Sequence, residues 1–508
     1  MHNVPRVTKT PSTSSGLLPG DELEARIGQL WFWEGFFVRR GINLQRYYYP
    51  QPLQVTDLDL LAFEFGPTLQ RRKFIGEAKS GTGKSAAAPL DRIVWLRGLM
   101  ELTRADGAEL TMASTIPLNT RDMAASLGIV AQSTQDLERR EHQAHVRDVN
   151  DLGSHGPMAV TDLKKVHLYC KNDPELERAF WFLRTEAWLL DPWLTIKRTM
   201  TVLEYMAKRW VPGITEDESF AIRWLLCEGV CVMALNTITV ARNAIILDGP
   251  LYTEHVSEHL AEGLAPVGVM TRVADTVDKF IIGVLSQIQA PPSLQVDALG
   301  AFLPTPPRYS EPFIELTQRL ANGVVYARQV PRFLDLVLFE RVVRQRDVPP
   351  LVFRRLGLPS ATGVARAARL IVSFLRGQAN LPEMIGDALQ GLPFETQQFS
   401  VAVTIPSQAK VTQTEPDVLT DVTQDGRPLN TNVQEADTSR AAIRGKHEDE
   451  ISEQPVAGTN IALRGTTESE DASTADSTGK ATMSLDEFFE STANEPIDPV
   501  REDDQHIK

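Results

Sequence analysis

Two pairs of charged residues near the start of the chain have the types and spacing of a metal-dependent hydrolytic site. Asp57 and Asp59 lie in VTDLDLLAFEF, and Glu77 and Lys79 lie in KFIGEAKSG. Both stretches are predicted strands, and because side chains alternate faces along a strand, each pair points to one face. A Gly-Pro dipeptide between the stretches favours a reversal of the chain. The sequence therefore predicts a β-hairpin on which the two charged pairs converge.

Converging carboxylates in apolar strands need a neutralising cation, because burying an unpaired charge is costly. Mg²⁺, or Mn²⁺, prefers oxygen ligands and commonly keeps several waters. We expect the side chains of Asp59 and Glu77 and the backbone carbonyl of Ala78 to hold this ion. Lys79 would orient an attacking water or stabilise negative charge that develops on phosphorus. Asp57 is a helping or alternative carboxylate two residues earlier.

This arrangement resembles the PD-(D/E)xK nuclease superfamily, and the order of elements is similar to that of Mrr-like restriction endonucleases. The matching residues are Asp59 and, after the hairpin turn, Glu77-Ala78-Lys79. GDELEARIGQLWFWEGFFV looks like the superfamily's first helix and its entry into the first strand. The hairpin is followed by PLDRIVWLRGLMEL as a helix, GAELTMAST as a strand and NTRDMAASLGIV as a further helix that runs into a short strand. The chain departs from the pattern at Leu58, where the family name implies a proline.

The resemblance implies a restriction-endonuclease-like domain with an αβββαβα core over residues 20–150. It also implies a hydrolase that cleaves DNA phosphodiester bonds with Mg²⁺, in restriction or antiviral defence. Glu24 in the first helix is a supporting residue that would reach the metal through water or a neighbouring side chain. Its alternative role is that of an ordinary first-turn glutamate favoured by the helix dipole.

A rival motif overlaps the same segment. Residues 78–85 read AKSGTGKS, which fits a relaxed phosphate-binding loop ending in Gly83-Lys84-Ser85. The expected loop follows a buried strand without charges, whereas this one follows Glu77, and Pro89 lies just inside the next predicted helix. A nucleotide-binding protein is therefore an alternative function. A nuclease-like fold that only holds nucleic acid for assembly is a third.

The acidic net charge of −14 does not argue against a nucleic-acid partner. Residues 401–508 contain 22 of the 66 acidic and 9 of the 52 basic residues, so the remainder, with 44 and 43, is nearly neutral. Basic clusters at Arg39-Arg40, Arg46 and Arg71-Arg72-Lys73 are expected beside the predicted site. Three cysteines and an N-terminus without an apolar signal sequence favour a cytoplasmic location. No membrane partner is expected.

The chain divides by composition into four parts. Residues 1–19 are predicted to be a disordered leader, residues 20–150 the nuclease domain and residues 160–395 a mainly helical domain of unknown role. Residues 400–508 are predicted to be a disordered acidic tail. Within the tail, Leu485, Phe488 and Phe489 share helical spacing at 483–491 and would dock on a protein partner. The helical domain would recognise the target, bind a partner or form a homodimer. Its WLLCEGVCVMALNTITV segment is predicted to be a buried helix despite Glu228.

Overall fold

The computed structural model describes residues 17–48, 51–81, 87–146, 151–262, 267–287 and 305–396. The predicted acidic tail, with its docking segment at 483–491, lies outside these residues, as does most of the predicted leader. Helix α1 begins at Pro19, one residue before the predicted start of the nuclease domain.

The N-terminal part is a mixed sheet of five strands in sequential order, with helices between them. Strands β1 to β3 pair antiparallel, and β3, β4 and β5 pair parallel. The predicted order of elements through α3 is present, and the short strand predicted after it is β5. The elements are α1 Pro19–Glu34, β1 Phe37–Tyr48, β2 Gln51–Phe65, β3 Arg71–Lys79, α2 Pro89–Thr103, β4 Gly107–Met112, α3 Leu118–Ser126, β5 Ile129–Ser133 and α4 Thr134–Gln143.

Two glycines explain how α1 packs against this sheet. Gly35 has a φ of 114° and its backbone N–H donates to the carbonyls of Phe32 and Trp31, which ends α1 and redirects the chain into β1. At Gly76 an added Cβ would lie 2.8 Å from the Trp31 ring. The glycine of the IGEAK sequence therefore allows α1 to approach β3 closely, because any side chain there would clash with the indole.

The remainder of the described chain is helical, as predicted. Short 3₁₀ helices lie at Gly153–His155 and Glu186–Trp188, and a π-helical turn lies at Phe339–Val343. The α-helices are α5 Pro157–Cys170, α6 Pro174–Arg184, α7 Pro192–Arg209, α8 Glu216–Ala241, α9 Asn243–Ile246, α10 Gly249–Ala261, α11 Val267–Gln287, α12 Ser310–Asn322, α13 Val324–Ala327, α14 Val330–Leu338, α15 Pro350–Arg355, α16 Ala361–Ala379, α17 Glu383–Asp387 and α18 Pro393–Thr396.

Helix α8 is the central helix of the helical part. The stretch Glu216–Ile246 is long and apolar enough to cross a membrane, but 94% of its most apolar window is buried inside the protein. Cys227 and Cys231 are free and buried in it, as expected for small core residues. The prediction of a buried helix is therefore confirmed.

Glu228, which interrupts the apolar sequence of α8, is neutralised by arginines from outside the helix. Its carboxylate lies 2.9 Å from Nε of Arg39 on β1, and Arg39 also donates to Asp335 on α14 at 2.8 Å. All three side chains are at most 1% exposed. Burial raises the pKa of Glu228, and the nearby guanidiniums of Arg39 and Arg184 oppose that shift. Such a pair is tolerated in the core because each charge keeps its partner.

Three arginines of the helical part donate to backbone carbonyls of the sheet part. Arg184 donates to Arg40 and Gly41 on β1, Arg332 to Phe32 near the end of α1 at 3.1 Å, and Arg355 to Ala144 after α4 at 3.2 Å. Cations at helix C-termini satisfy the unpaired carbonyls and complement the helix dipole. The two parts also share one hydrophobic core and belong to one compact unit. Hydrogen bonds and core packing therefore join the sheet part to the helical part across the predicted domain boundary.

Candidate functional site

The middle of β2 and the end of β3 bring Asp59, Glu77 and Lys79 together. The described pairing of the two strands ends at Leu60 and Gly76, so these side chains lie where the strands begin to part. Nζ of Lys79 lies 2.5 Å from Oε1 of Glu77 and 3.3 Å from Oδ2 of Asp59. The convergence predicted from strand periodicity is therefore present in the structure.

The backbone of Ala78 faces the same point. Its N–H donates to Oδ2 of Asp59 at 2.8 Å, while the Lys79 carbonyl accepts from Ala113 on the opposite side of β3. Because the N–H and C=O of one strand residue point to the same side, the Ala78 carbonyl also lies on the β2 side of β3. The Ala78 carbonyl is the backbone oxygen predicted from the sequence to bind a metal ion.

The charged groups at this site shift one another's pKa values. Burial raises the pKa of Glu77, and the neighbouring Asp59 raises it further against the opposing effects of Lys79 and Arg92. Burial alone would lower the pKa of Lys79, but the Asp59 and Glu77 carboxylates outweigh it and the net shift is upward. Lys79 therefore stays protonated at neutral pH and neutralises part of the negative charge.

Glu24 on α1 is a third carboxyl group near Asp59. Burial, with a further contribution from Asp59, raises its pKa from 4.5 to about 7, although Arg40 opposes the shift. The Glu24 carboxylate lies 3.5 Å from Arg40, whose guanidinium also donates to the Asp21 carbonyl at 2.8 Å. The structure thus places the predicted supporting residue beside the site and links it to β1 through Arg40.

The raised pKa of Glu24 makes stability depend on pH. Its folded pKa of about 7 lies above its ordinary value of 4.5, so the stabilising contribution is complete below pH 4.5 and is lost as pH rises through 7. Glu24→Gln should leave stability near pH 5 almost unchanged and raise it at pH 8 by up to about 3 kcal/mol. Thermal melts in EDTA from pH 5 to 8 measure this difference. Glu22→Gln on the same helix is the control, and parallel pH profiles for wild type and Glu24→Gln would contradict the expectation.

The oxygen atoms available for a divalent cation are those of two carboxylates and one backbone carbonyl. Among the described residues, no group of three or more His, Cys, Asp or Glu side chains is close enough to hold a metal. Asp59 and Glu77 with the Ala78 carbonyl supply three oxygens, which suits Mg²⁺ because that ion is usually bound by one or two carboxylates and retains waters. Burial, with a smaller contribution from Asp59, raises the pKa values of Glu24 and Glu77, and a bound cation would oppose both shifts.

Two further predictions from the sequence concern Asp57 and the rival phosphate-loop motif. Asp57 lies on β2 in register with Asn43 and is exposed, so it is two strand positions away from the point where Asp59 meets Ala78. Residues 82–86, which include Gly83, Lys84 and Ser85 of the rival phosphate-loop motif, lie outside the described residues.

The prediction that the basic clusters lie beside the site holds for Arg40, which contacts Glu24, and is wrong for Arg39, Arg71 and Lys73. Arg39 and Arg40 are buried, the first against Glu228 and the second beside Glu24. Arg71 and Lys73 lie at the start of β3, the end of the strand opposite Lys79, and Lys73 donates to the last carbonyl of α2 at 2.9 Å. The side chain of Arg46 lies outside the described residues. The sequence shows these residues as basic clusters, but strand position and burial determine their distance from the site.

Glu109, a buried carboxylate on β4, was not predicted from the sequence. Glu109 accepts from Nε1 of Trp31 at 3.1 Å, from Gln132 at 2.6 Å and from Arg140 at 2.9 Å. Burial raises its pKa, and Arg140 opposes the shift. These three partners come from three other elements, so local spacing could not have indicated that they meet. Because its contacts are internal to the fold, we assign Glu109 a structural role that holds α1 and α4 on the sheet.

No family model, curated protein or solved structure matches this chain. Asp59, Glu77 and Lys79 are therefore described by their geometry in this structure alone.

Proposed function

We propose that this protein is a metal-dependent nuclease that hydrolyses phosphodiester bonds of DNA. The observation that carries the proposal is the meeting of the Asp59, Glu77 and Lys79 side chains at one end of the β2–β3 hairpin. The fold supports it, because the order of helices and strands around this hairpin is the order that the nuclease resemblance implies. Restriction or antiviral defence in the cytoplasm is the proposed setting.

Each residue has a distinct part in the proposed reaction. Asp59 and Glu77, with the Ala78 carbonyl, would hold Mg²⁺ or Mn²⁺. The bound ion would polarise the phosphoryl group and lower the pKa of a coordinated water. Lys79 remains charged, so its ammonium would orient the attacking water or stabilise the charge that develops on the phosphoryl oxygens. Glu24, whose pKa lies near 7, would accept a proton through an intervening water.

A digest with the full-length protein tests this function. Plasmid, linear duplex and single-stranded DNA are incubated with Mg²⁺ or Mn²⁺, beside a matched Glu77→Gln preparation. We expect the wild type to cleave at least one substrate, EDTA to abolish cleavage, and added metal to restore it. Glu77→Gln should fall to background because a metal-binding carboxylate is lost. Equal cleavage by the two proteins, or no cleavage of any substrate, would reject the proposal.

The two alternative functions give different results in the same preparations. A nucleotide-binding protein would bind ATP or GTP, and Lys84→Ala would abolish that binding while a nuclease would be little affected. An assembly protein with a nuclease-like fold would bind DNA without cleaving it under any metal condition. The geometry of Asp59, Glu77 and Lys79 favours the nuclease over both, because neither alternative needs a lysine between two carboxylates at a strand end.

A further inference from the structure

Helix α2 forms one wall of the candidate site. It is the next described helix after β3, and Nη1 of Arg92 lies 3.8 Å from Oε1 of Glu77. The Arg92 side chain is 37% exposed, so its guanidinium is accessible from solvent while its electrostatic field acts on Glu77. This residue lies next to the carboxylates but carries the opposite charge, as expected of a group that would bind a phosphate.

Trp95 lies beside Arg92 on the exposed side of the same helix. The Arg92 guanidinium carbon is 5.9 Å from the centre of the Trp95 ring, and the indole is 36% exposed. Ile93, Leu96 and Leu99 face the core and anchor α2, so the fold does not require an aromatic residue at position 95. A large aromatic ring is therefore presented to solvent next to the arginine that approaches Glu77.

We propose that Trp95 stacks on an unpaired nucleobase and that Arg92 binds the phosphate beside it. The inference rests on the proposed nuclease function and names its substrate class: a strand with a single-stranded segment next to the bond that is cut. Duplex DNA hides the faces of its bases in the helical stack, whereas an unpaired base offers a face to an aromatic ring. The cation over the indole adds a second attraction for the electron-rich base and its phosphate.

Metal-free binding of labelled oligonucleotides tests the role of Trp95. Fluorescence anisotropy of a single-stranded oligonucleotide and a hairpin duplex is measured in EDTA with full-length protein. Trp95→Ala should weaken single-strand binding roughly 10-fold or more, the loss expected for one stacked base, and change duplex binding little. Trp95→Phe should retain most of the affinity because a ring remains. Val94→Ala, which removes a neighbouring exposed apolar side chain, is the matched control and should bind as the wild type does.

The salt dependence of binding tests the role of Arg92. Losing one phosphate contact to a single strand should reduce the slope of log K against log salt by about 0.7. Arg92→Gln should show this reduction. Arg97→Gln is the control, because Arg97 lies on the same helix but pairs with Glu101 at 2.5 Å. A purely structural role for Arg92 would lower stability without changing the slope.

The outcomes separate this inference from the proposed function. Single-strand binding by Trp95→Ala equal to that of the wild type overturns the inference, even when the wild type cleaves DNA. A change in sedimentation on replacing Trp95, with binding unchanged, also overturns it and identifies a contact between two copies of the chain. Trp95-dependent binding without any cleavage sustains the inference and rejects the nuclease. Failure of the wild type to bind either oligonucleotide overturns the inference.

Discussion

Lys79→Met is expected to reduce DNA cleavage by about 100- to 1,000-fold while leaving metal binding intact. The magnitude is that of removing one positioned charge or donor that stabilises a transition state. Methionine keeps the length and most of the volume of the lysine but cannot donate a hydrogen bond or carry charge. Because Lys79 now contacts both carboxylates, its loss should maintain or strengthen the affinity of Asp59 and Glu77 for Mg²⁺. Single-turnover cleavage and titration calorimetry measure the two effects.

Arg72→Met is the matched control for this prediction. Arg72 lies on the same strand, at its other end, where it makes an exposed ion pair with Glu64 at 3.4 Å and its guanidinium carbon lies 5.1 Å from the centre of the Phe74 ring. Such a pair contributes little to stability, so cleavage and metal binding should both match the wild type. Cleavage by Lys79→Met within a few-fold of wild type would remove lysine from the proposed chemistry. Loss of metal binding along with cleavage would indicate that Lys79 only maintains the geometry of the site.

The second large effect is expected on stability. Arg39→Met should lower the free energy of unfolding by about 3 to 5 kcal/mol, because it leaves the buried carboxylates of Glu228 and Asp335 without their shared cation. Arg184 lies 3.9 Å from Glu228 and His155 lies 3.3 Å from Asp335, so some compensation remains. The shift of the urea unfolding midpoint measures the effect.

Arg72→Met serves again as the comparison, since its ion pair is exposed and should cost at most about 1 kcal/mol. A midpoint for Arg39→Met that coincides with that of Arg72→Met would show that the buried network contributes nothing net. A triple replacement of Arg39, Glu228 and Asp335 by apolar residues should recover part of the loss, because no unpaired charge then remains in the core.

The hairpin and its three site residues could be predicted because local rules determine them. Strand periodicity assigned each charged pair to a face, and the Gly-Pro turn joined the two strands. Asp59 and Glu77 lie nearly opposite each other once Leu60 pairs with Gly76, so the hairpin register completes the site. Glu24 was also recognised, although only the structure reveals the burial that raises its pKa.

The features that could not be predicted depend on contacts between residues distant in sequence. Arg39 meets Glu228 across 189 positions and Asp335 across 296. Nothing in the neighbourhood of Arg39 indicates that its partners are acidic residues of a helical region. The same holds for the arginines that donate to the ends of α1 and α4. The sequence around Arg332 and Arg355 is typical of exposed basic residues, and only tertiary packing brings these side chains to the helix ends.

Strand β1 joins two electrostatic systems through neighbouring residues. Arg39 points into the buried network of α8 and α14, and Arg40 points towards Glu24 and the candidate site. A single peptide bond therefore separates the innermost charges of the helical region from the proposed chemistry. Any rearrangement of α8 against α14 would therefore pull on the strand whose Arg40 contacts Glu24.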